Sequence, residues 1–165
     1  MTVQTLCQWL YEWPPAVALR ESDDLFPIIE TAHVLSICMA AGTILAVDFR
    51  LLGWALTRES AVAVTKALLP LTWLGFILML SSGVPLFAAE ALQLYANPAF
   101  RVKLILLGIA GANALAFHGT VFRSAGSWAH EARAPASARG FAAVSVITWA
   151  GIIVSGRLIA VFHGH

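Results

Sequence analysis

The chain has 165 residues, of which 59% are hydrophobic and 12% charged, with a formal net charge of +1. So little charge against so much apolar surface excludes the disordered and collagenous classes, and cations scattered singly between apolar stretches exclude a surface that grips nucleic acid. A lipid bilayer is the expected partner, because a hydrocarbon core of about 30 Å takes roughly 20 apolar helical residues to cross and several stretches reach that length.

The N-terminal segment, residues 1–20, has no basic region followed by a compact apolar core and a small-residue cleavage site, so it is not read as a signal peptide. Val3, Leu6, Cys7 and Leu10 recur at helical spacing, while Gln4, Gln8 and Glu12 form an opposing polar stripe. This pattern predicts a short amphipathic helix at the membrane interface. Trp9, Tyr11 and Trp13 suit the headgroup layer, and Pro14-Pro15 ends the helix because proline cannot donate to the ladder. Cys7 in this segment and Cys38 within the first span are expected to be free thiols.

Four spans follow, at about 25–47, 67–89, 102–121 and 141–162, predicting an all-α integral membrane four-helix bundle in a single domain. The connections fall at Leu56 to Lys66, Glu90 to Pro98, and Ser124 to Arg139. Arg50, Arg58 and Lys66 flank the first, and Arg123, Arg133 and Arg139 the third, whereas Glu12, Glu21, Asp23 and Asp24 outnumber Arg20 in the N-terminal segment. The expected orientation therefore has the odd connections in the cytoplasm and both termini in the periplasm of a bacterial inner membrane.

An echo between the halves suggests two related hairpins. Phe49-Arg50-Leu51-Leu52-Gly53-Trp54 after the first span resembles Phe122-Arg123-Ser124-Ala125-Gly126 with Trp128 after the third. Thr72-Trp73-Leu74-Gly75 resembles Thr148-Trp149-Ala150-Gly151, and each stretch runs on to a Ser-Gly pair, Ser82-Gly83 and Ser155-Gly156. The hairpins are expected to be related by a pseudo-twofold axis along the membrane normal, with the matched Trp and Gly residues between them. Gly151 with Ser155, and Gly108 with Gly111 or Ala112, form small-residue seams suited to close helix approach.

Ionisable residues within spans carry the functional information, because each costs about 2.5 to 3.5 kcal/mol near a helix centre on insertion scales. Glu30 and His33 of span one, Lys103 of span three and Arg157 of span four all fall in the outer half and are expected to form one polar cluster. Glu30 stands opposite Lys103 by pseudo-symmetry, which predicts an ion pair; both cations can also snorkel to the interface unaided. The repeat equivalent of His33 is Leu106, so an imidazole there is a specialisation of one half. His163 closes span four on the stripe Trp149, Ile152, Gly156 and Ile159. Two readings follow: His33 and His163 as axial ligands of a haem b with Lys103 and Arg157 on the propionates, or a loosely held copper or zinc ion at His163-Gly164-His165. Asp48, Arg50, Asn113 and His118 make a second polar set that anchors the inner helix ends. No H-E-x-x-H, phosphate-cradling loop, nucleophile elbow or paired-cysteine motif occurs, which disfavours a self-contained hydrolase.

At Glu30-Thr31-Ala32-His33-Val34, Asp48 to Gly53, Asn97 to Lys103 and Gly156 to Ala160, the chain resembles a bacterial family of small four-span integral membrane proteins without an established activity. In architecture it is also similar to copper-resistance membrane proteins and to small b-type cytochromes. These resemblances imply at most one haem, since His118 lacks an intramembrane partner. The leading expectation is an electron-transfer subunit binding haem b or quinone at the outer cluster and working with a periplasmic redox partner. The alternatives are a copper-like metal-handling or transport protein using His33 and Glu30, and a cofactor-free subunit of a membrane complex.

Overall fold

The architecture is described from a computed structural model that covers residues 2–128, 131 and 134–162. Every regular element among them is helical. Helix α1 (Val3–Glu12) starts at Thr2, whose hydroxyl accepts from the Thr5 amide and satisfies one orphan donor of the first turn. Pro14-Pro15 does end α1, but it also opens a second helix, α2 (Pro14–Arg20), at the one place where proline's missing N–H and fixed φ suit a helix.

The four long helices are α3 (Leu25–Leu52), α4 (Ala61–Ala89), α6 (Pro98–Gly119) and α7 (Ala136–Phe162); α5 (Ala91–Ala96) is a short helix between α4 and α6. Each long helix is apolar and long enough to cross a membrane, and the four fit a multi-pass membrane protein in contact with lipid. Each runs beyond its expected span by one turn or more at one end, and α6 stops at Gly119, just short of its expected end at 121. Lys66, expected at the end of the first connection, lies inside α4, and Asp48 and Arg50 complete the last turns of α3, where the backbone satisfies its own hydrogen bonds.

Helix ends follow local chemistry. Gly53 stops α3 with φ of 77°, and the Trp54 amide returns to the Phe49 carbonyl at 2.9 Å, a Schellman closure that a side chain at position 53 would strain. Ser60 caps α4 through the Ala63 amide. Asn97 Oδ1 accepts from the Ala99 and Phe100 amides at the start of α6, while its Nδ2 donates to the Ile159 carbonyl of α7 at 3.1 Å. One side chain thus caps one helix and ties it to the end of another.

Helix α3 packs chiefly on α4, α6 chiefly on α7, and a contact between α3 and α7 joins the pairs. Leu51, Ala61, Phe117, Trp128, Ala138 and Ala142 share a core at the end where α3 and α6 finish and α4 and α7 begin. Nearer the middle, Ala41, Trp149 and Ile152 pack with Phe76 and Leu106. At the other end α1 buries Cys7 and packs on α5 and α4. Arg20 lies 3.8 Å over the Tyr11 ring and donates to the carbonyls of Tyr11 and Ala89, pinning the N-terminal helices to the end of α4. Cys7 and Cys38 are both free.

The echoed segments differ in conformation and environment. Phe49–Leu52 is the last turn of α3, whereas Phe122–Gly126 lies in a 3-10 segment, Val121–Ser127. Trp149 is 2% exposed in the core and Trp73 is 62% exposed on the outer surface, so the matched tryptophans do not share an interface. The glycines serve seams within each pair: a Cβ on Gly75 would stand 2.8 Å from the Ala40 backbone nitrogen, and one on Gly151 would stand 2.9 Å from Leu106. At Gly108 and Gly111 a Cβ would meet nothing within 4 Å, so that seam faces outward rather than toward another helix of the chain.

Candidate functional site

His33 projects from α3 toward α4 and is half-buried. Its Nδ1 lies 2.9 Å from Ser82 Oγ, and that hydroxyl donates to the Leu78 carbonyl of its own helix at 2.6 Å. With its proton committed to Leu78, Ser82 accepts from the ring, so the neutral imidazole carries hydrogen on Nδ1 and keeps the Nε2 lone pair available. The imidazole sits so close to α4 that a Cβ at Gly83 would be 2.8 Å from Cε1, which makes a glycine there a steric condition for this ring position.

Lys103 enters from α6, lies within electrostatic reach of His33, and rests its Nζ 3.8 Å from where a Gly156 Cβ would stand on α7. The structure therefore brings His33, Ser82, Gly83, Lys103 and Gly156 together from four helices. Glu30 and Arg157 sit at this end too, but both are exposed. The expected Glu30–Lys103 ion pair is not formed among the described residues, because α3 packs on α4 and α7 and lies diagonally across from α6. His163 and His165 lie outside the described residues. Among the described residues no three His, Cys, Asp or Glu side chains converge on a metal position.

The second polar set is distributed rather than clustered. Asp48 is 6% exposed and lies beside Ser145 of α7, with Oδ2 lacking a hydrogen-bond partner. Arg50, 1% exposed, donates to the carbonyls of Glu59 at 2.6 Å and Glu131 at 3.0 Å, clamping both connections at the end where α3 and α6 finish. Asn113 donates to the Phe141 carbonyl, joining α6 to α7. His118 is exposed and turned back to its own helix through Ala114, against Phe117 and Phe122.

Ser82 and Gly83 are the site residues that sequence reasoning missed as such. Their signal was present, since the Ser-Gly pair was visible as part of the echo, but its use as a seat for an imidazole needs the α3–α4 register. Comparison with protein-family models, curated proteins and solved structures finds no match to this chain.

Proposed function

We propose that the chain is an electron-transfer subunit of the bacterial cytoplasmic membrane, built as two related hairpins with periplasmic termini, that binds haem b or quinone at the His33 cluster and serves a periplasmic redox partner. The observation carrying this reading is the tethered imidazole. Nδ1 is anchored through Ser82, Nε2 is left with its lone pair, and the Gly83 backbone replaces the side chain that would crowd it. Second-sphere orientation of this kind is what a metal-ligating or quinone-binding histidine requires.

The described residues fit either group in their donor chemistry. For haem, His33 would ligate through Nε2, and Lys103 with the exposed Arg157 would answer the propionates; His163 would supply the second ligand from the last residues. For quinone, Lys103 would donate to a carbonyl oxygen, and His33 Nε2 would accept from the hydroxyl of the reduced form. Either group supplies the electron chemistry, while the chain supplies orientation, charge and a proton acceptor.

The test is the visible spectrum of protein purified in mild detergent, before and after dithionite, with extraction of bound quinone from the same sample. Haem predicts a Soret band with sharp reduced α and β bands that His33→Ala abolishes. Quinone predicts a featureless visible spectrum with near-stoichiometric extracted quinone that the same substitution removes. Neither group, or retention of either after His33→Ala, refutes the assignment. A cofactor-free assembly subunit is the second reading, favoured by the outward seam at Gly108 and Gly111, which leaves room for a partner's helix.

A further inference from the structure

Helix α1 divides its surface among three surroundings. Cys7 is 3% exposed and Leu10 is half-buried, and both lie on the face that packs toward α5 and α4. The periodicity puts Val3, Leu6, Cys7 and Leu10 on one apolar stripe, but the structure splits that stripe and spends Cys7 and Leu10 on the protein. What remains exposed sorts by chemistry. To one side of the packed face stand Leu6, 45% exposed, and Trp9, 57% exposed, with Val3 and Trp13 also exposed at the two ends of the helix. To the other side stand Gln4, Gln8 and Glu12, all exposed, with Gln8 donating to Glu12. At 3.6 residues per turn the centres of these two flanks lie roughly 130° apart, one apolar and one polar on either side of the packed seam.

The fold itself sets this rotation of α1. Arg20, over the Tyr11 ring, donates to the Tyr11 and Ala89 carbonyls, which ties the helix to the end of α4, and Ala16 and Leu19 of α2 are buried beside it. The apolar flank is therefore presented by the chain rather than turned outward by what it meets. Glu12, on the polar flank, is the only charged residue of α1, so the apolar flank offers no cation to an anionic headgroup. Tyr95 and Arg101, both exposed where α5 passes into α6, sit at the same end of the bundle, with the guanidinium 5.3 Å from the ring centroid and Nε donating to the Tyr95 carbonyl. An amphipathic ring and a long cationic side chain together are the residue types that settle at a headgroup layer.

We infer that α1 lies along the boundary between membrane and water, with Leu6 and Trp9 among the headgroups and upper acyl chains, Gln4, Gln8 and Glu12 in water, and neutral lipid sufficient for the contact. A flank of each kind on one helix fits a boundary between two media. Lipid is the occupant argued for because α1 packs on α4, whose outer face exposes Leu80 and Val84, so the apolar flank stands at the end of the surface that the long helices already turn to the bilayer. The inference rests on the bilayer reading and is independent of any group at His33.

The test places one nitroxide at a time on α1 of the full chain, through Leu6→Cys, Trp9→Cys, Gln8→Cys and Glu12→Cys in a Cys7→Ala, Cys38→Ala background. Where Cys7→Ala does not fold, Cys7 is kept, since its burial shields it from the label. Each labelled protein is reconstituted into phosphatidylcholine vesicles with and without phosphatidylglycerol, and collisions with oxygen, which enters lipid, and with a water-soluble nickel chelate report the medium around the label. Labels on Leu6→Cys and Trp9→Cys are expected to show several-fold less nickel collision and more oxygen collision than those on Gln8→Cys and Glu12→Cys, in both lipid compositions. Equal nickel exposure at all four positions would overturn the lipid contact. Immobilised labels on Leu6→Cys and Trp9→Cys that are shielded from both probes would overturn it in favour of a second copy or another protein on that flank. Protection that appears only with phosphatidylglycerol would overturn the sufficiency of neutral lipid.

Discussion

Replacing Gly83 with alanine tests the steric half of the His33 site. The new methyl would stand 2.8 Å from Cε1 and 3.4 Å from Nδ1, so the ring must retreat by roughly 0.6 to 1 Å to regain ordinary contact. Retreat along the Nδ1–Ser82 direction lengthens a 2.9 Å hydrogen bond beyond useful range. The loss is about 1 kcal/mol, and the helix propensity gained by Gly→Ala offsets it by a similar amount. Gly83→Ala should therefore unfold in detergent close to the wild-type midpoint while its imidazole is displaced. Nitrogen-15 NMR of labelled histidine reads that displacement directly, as loss of the Nδ1-protonated tautomer or exchange between tautomers. An unchanged Nδ1-protonated signal in a folded Gly83→Ala protein would refute the geometry, whatever the cofactor.

Gly75→Ala meets backbone instead of a movable ring, with Ala40 nitrogen at 2.8 Å and Cα at 3.0 Å, so α3 and α4 must separate; a net cost of about 1 to 2 kcal/mol should appear in thermal or denaturant unfolding. Gly108→Ala, facing open space, should leave monomer stability unchanged or raise it slightly in the same assay, and a loss comparable to that of Gly75→Ala would show that the two glycines are not distinguished by packing. Arg50→Lys should cost about 2 to 3 kcal/mol, because a point charge cannot span the Glu59 and Glu131 carbonyls, and limited proteolysis near those connections should accelerate. Asp48→Asn should not destabilise, since an amide keeps the shape of the carboxyl beside Ser145 without a buried charge and no cation pairs with the carboxyl among the described residues; a marked fall in unfolding midpoint would mean that the charge itself is structural.

The long helices were legible because twenty apolar residues in a row have few other uses, and their number and order match the sequence reading. Which side of each helix faces inward was not. In a soluble bundle an exposed Trp73 and a buried Trp149 would differ in their neighbours' polarity, but lipid is as apolar as a core, so both sit among similar residues. The same cause hid the difference between the outward seam at Gly108 and the inward one at Gly75. What Arg50 would reach was not legible either, because the Glu59 and Glu131 carbonyls lie in the connections and leave no local trace. The convergence of His33 and Lys103 was inferred from membrane side alone, and it was inferred with the wrong partner for Lys103. Pseudo-symmetry placed Glu30 opposite it, whereas the diagonal placement of α3 and α6 leaves Lys103 resting on Gly156.

Within a low-dielectric bundle, the useful division is between polar side chains whose capacity is spent inside the chain and those with capacity left over. Arg20, Asn97, Asn113 and Thr72 spend theirs on Ala89, Ile159, Phe141 and Thr43, and each such bond crosses between helices. These are clamps, and their cost is met by the carbonyl or hydroxyl they reach. His33 keeps Nε2. The ring itself joins α3 to α4 through Ser82 and still keeps this second nitrogen. Leaving such capacity unspent costs stability, and on the function proposed above that cost at His33 is offset by the group the ring would bind.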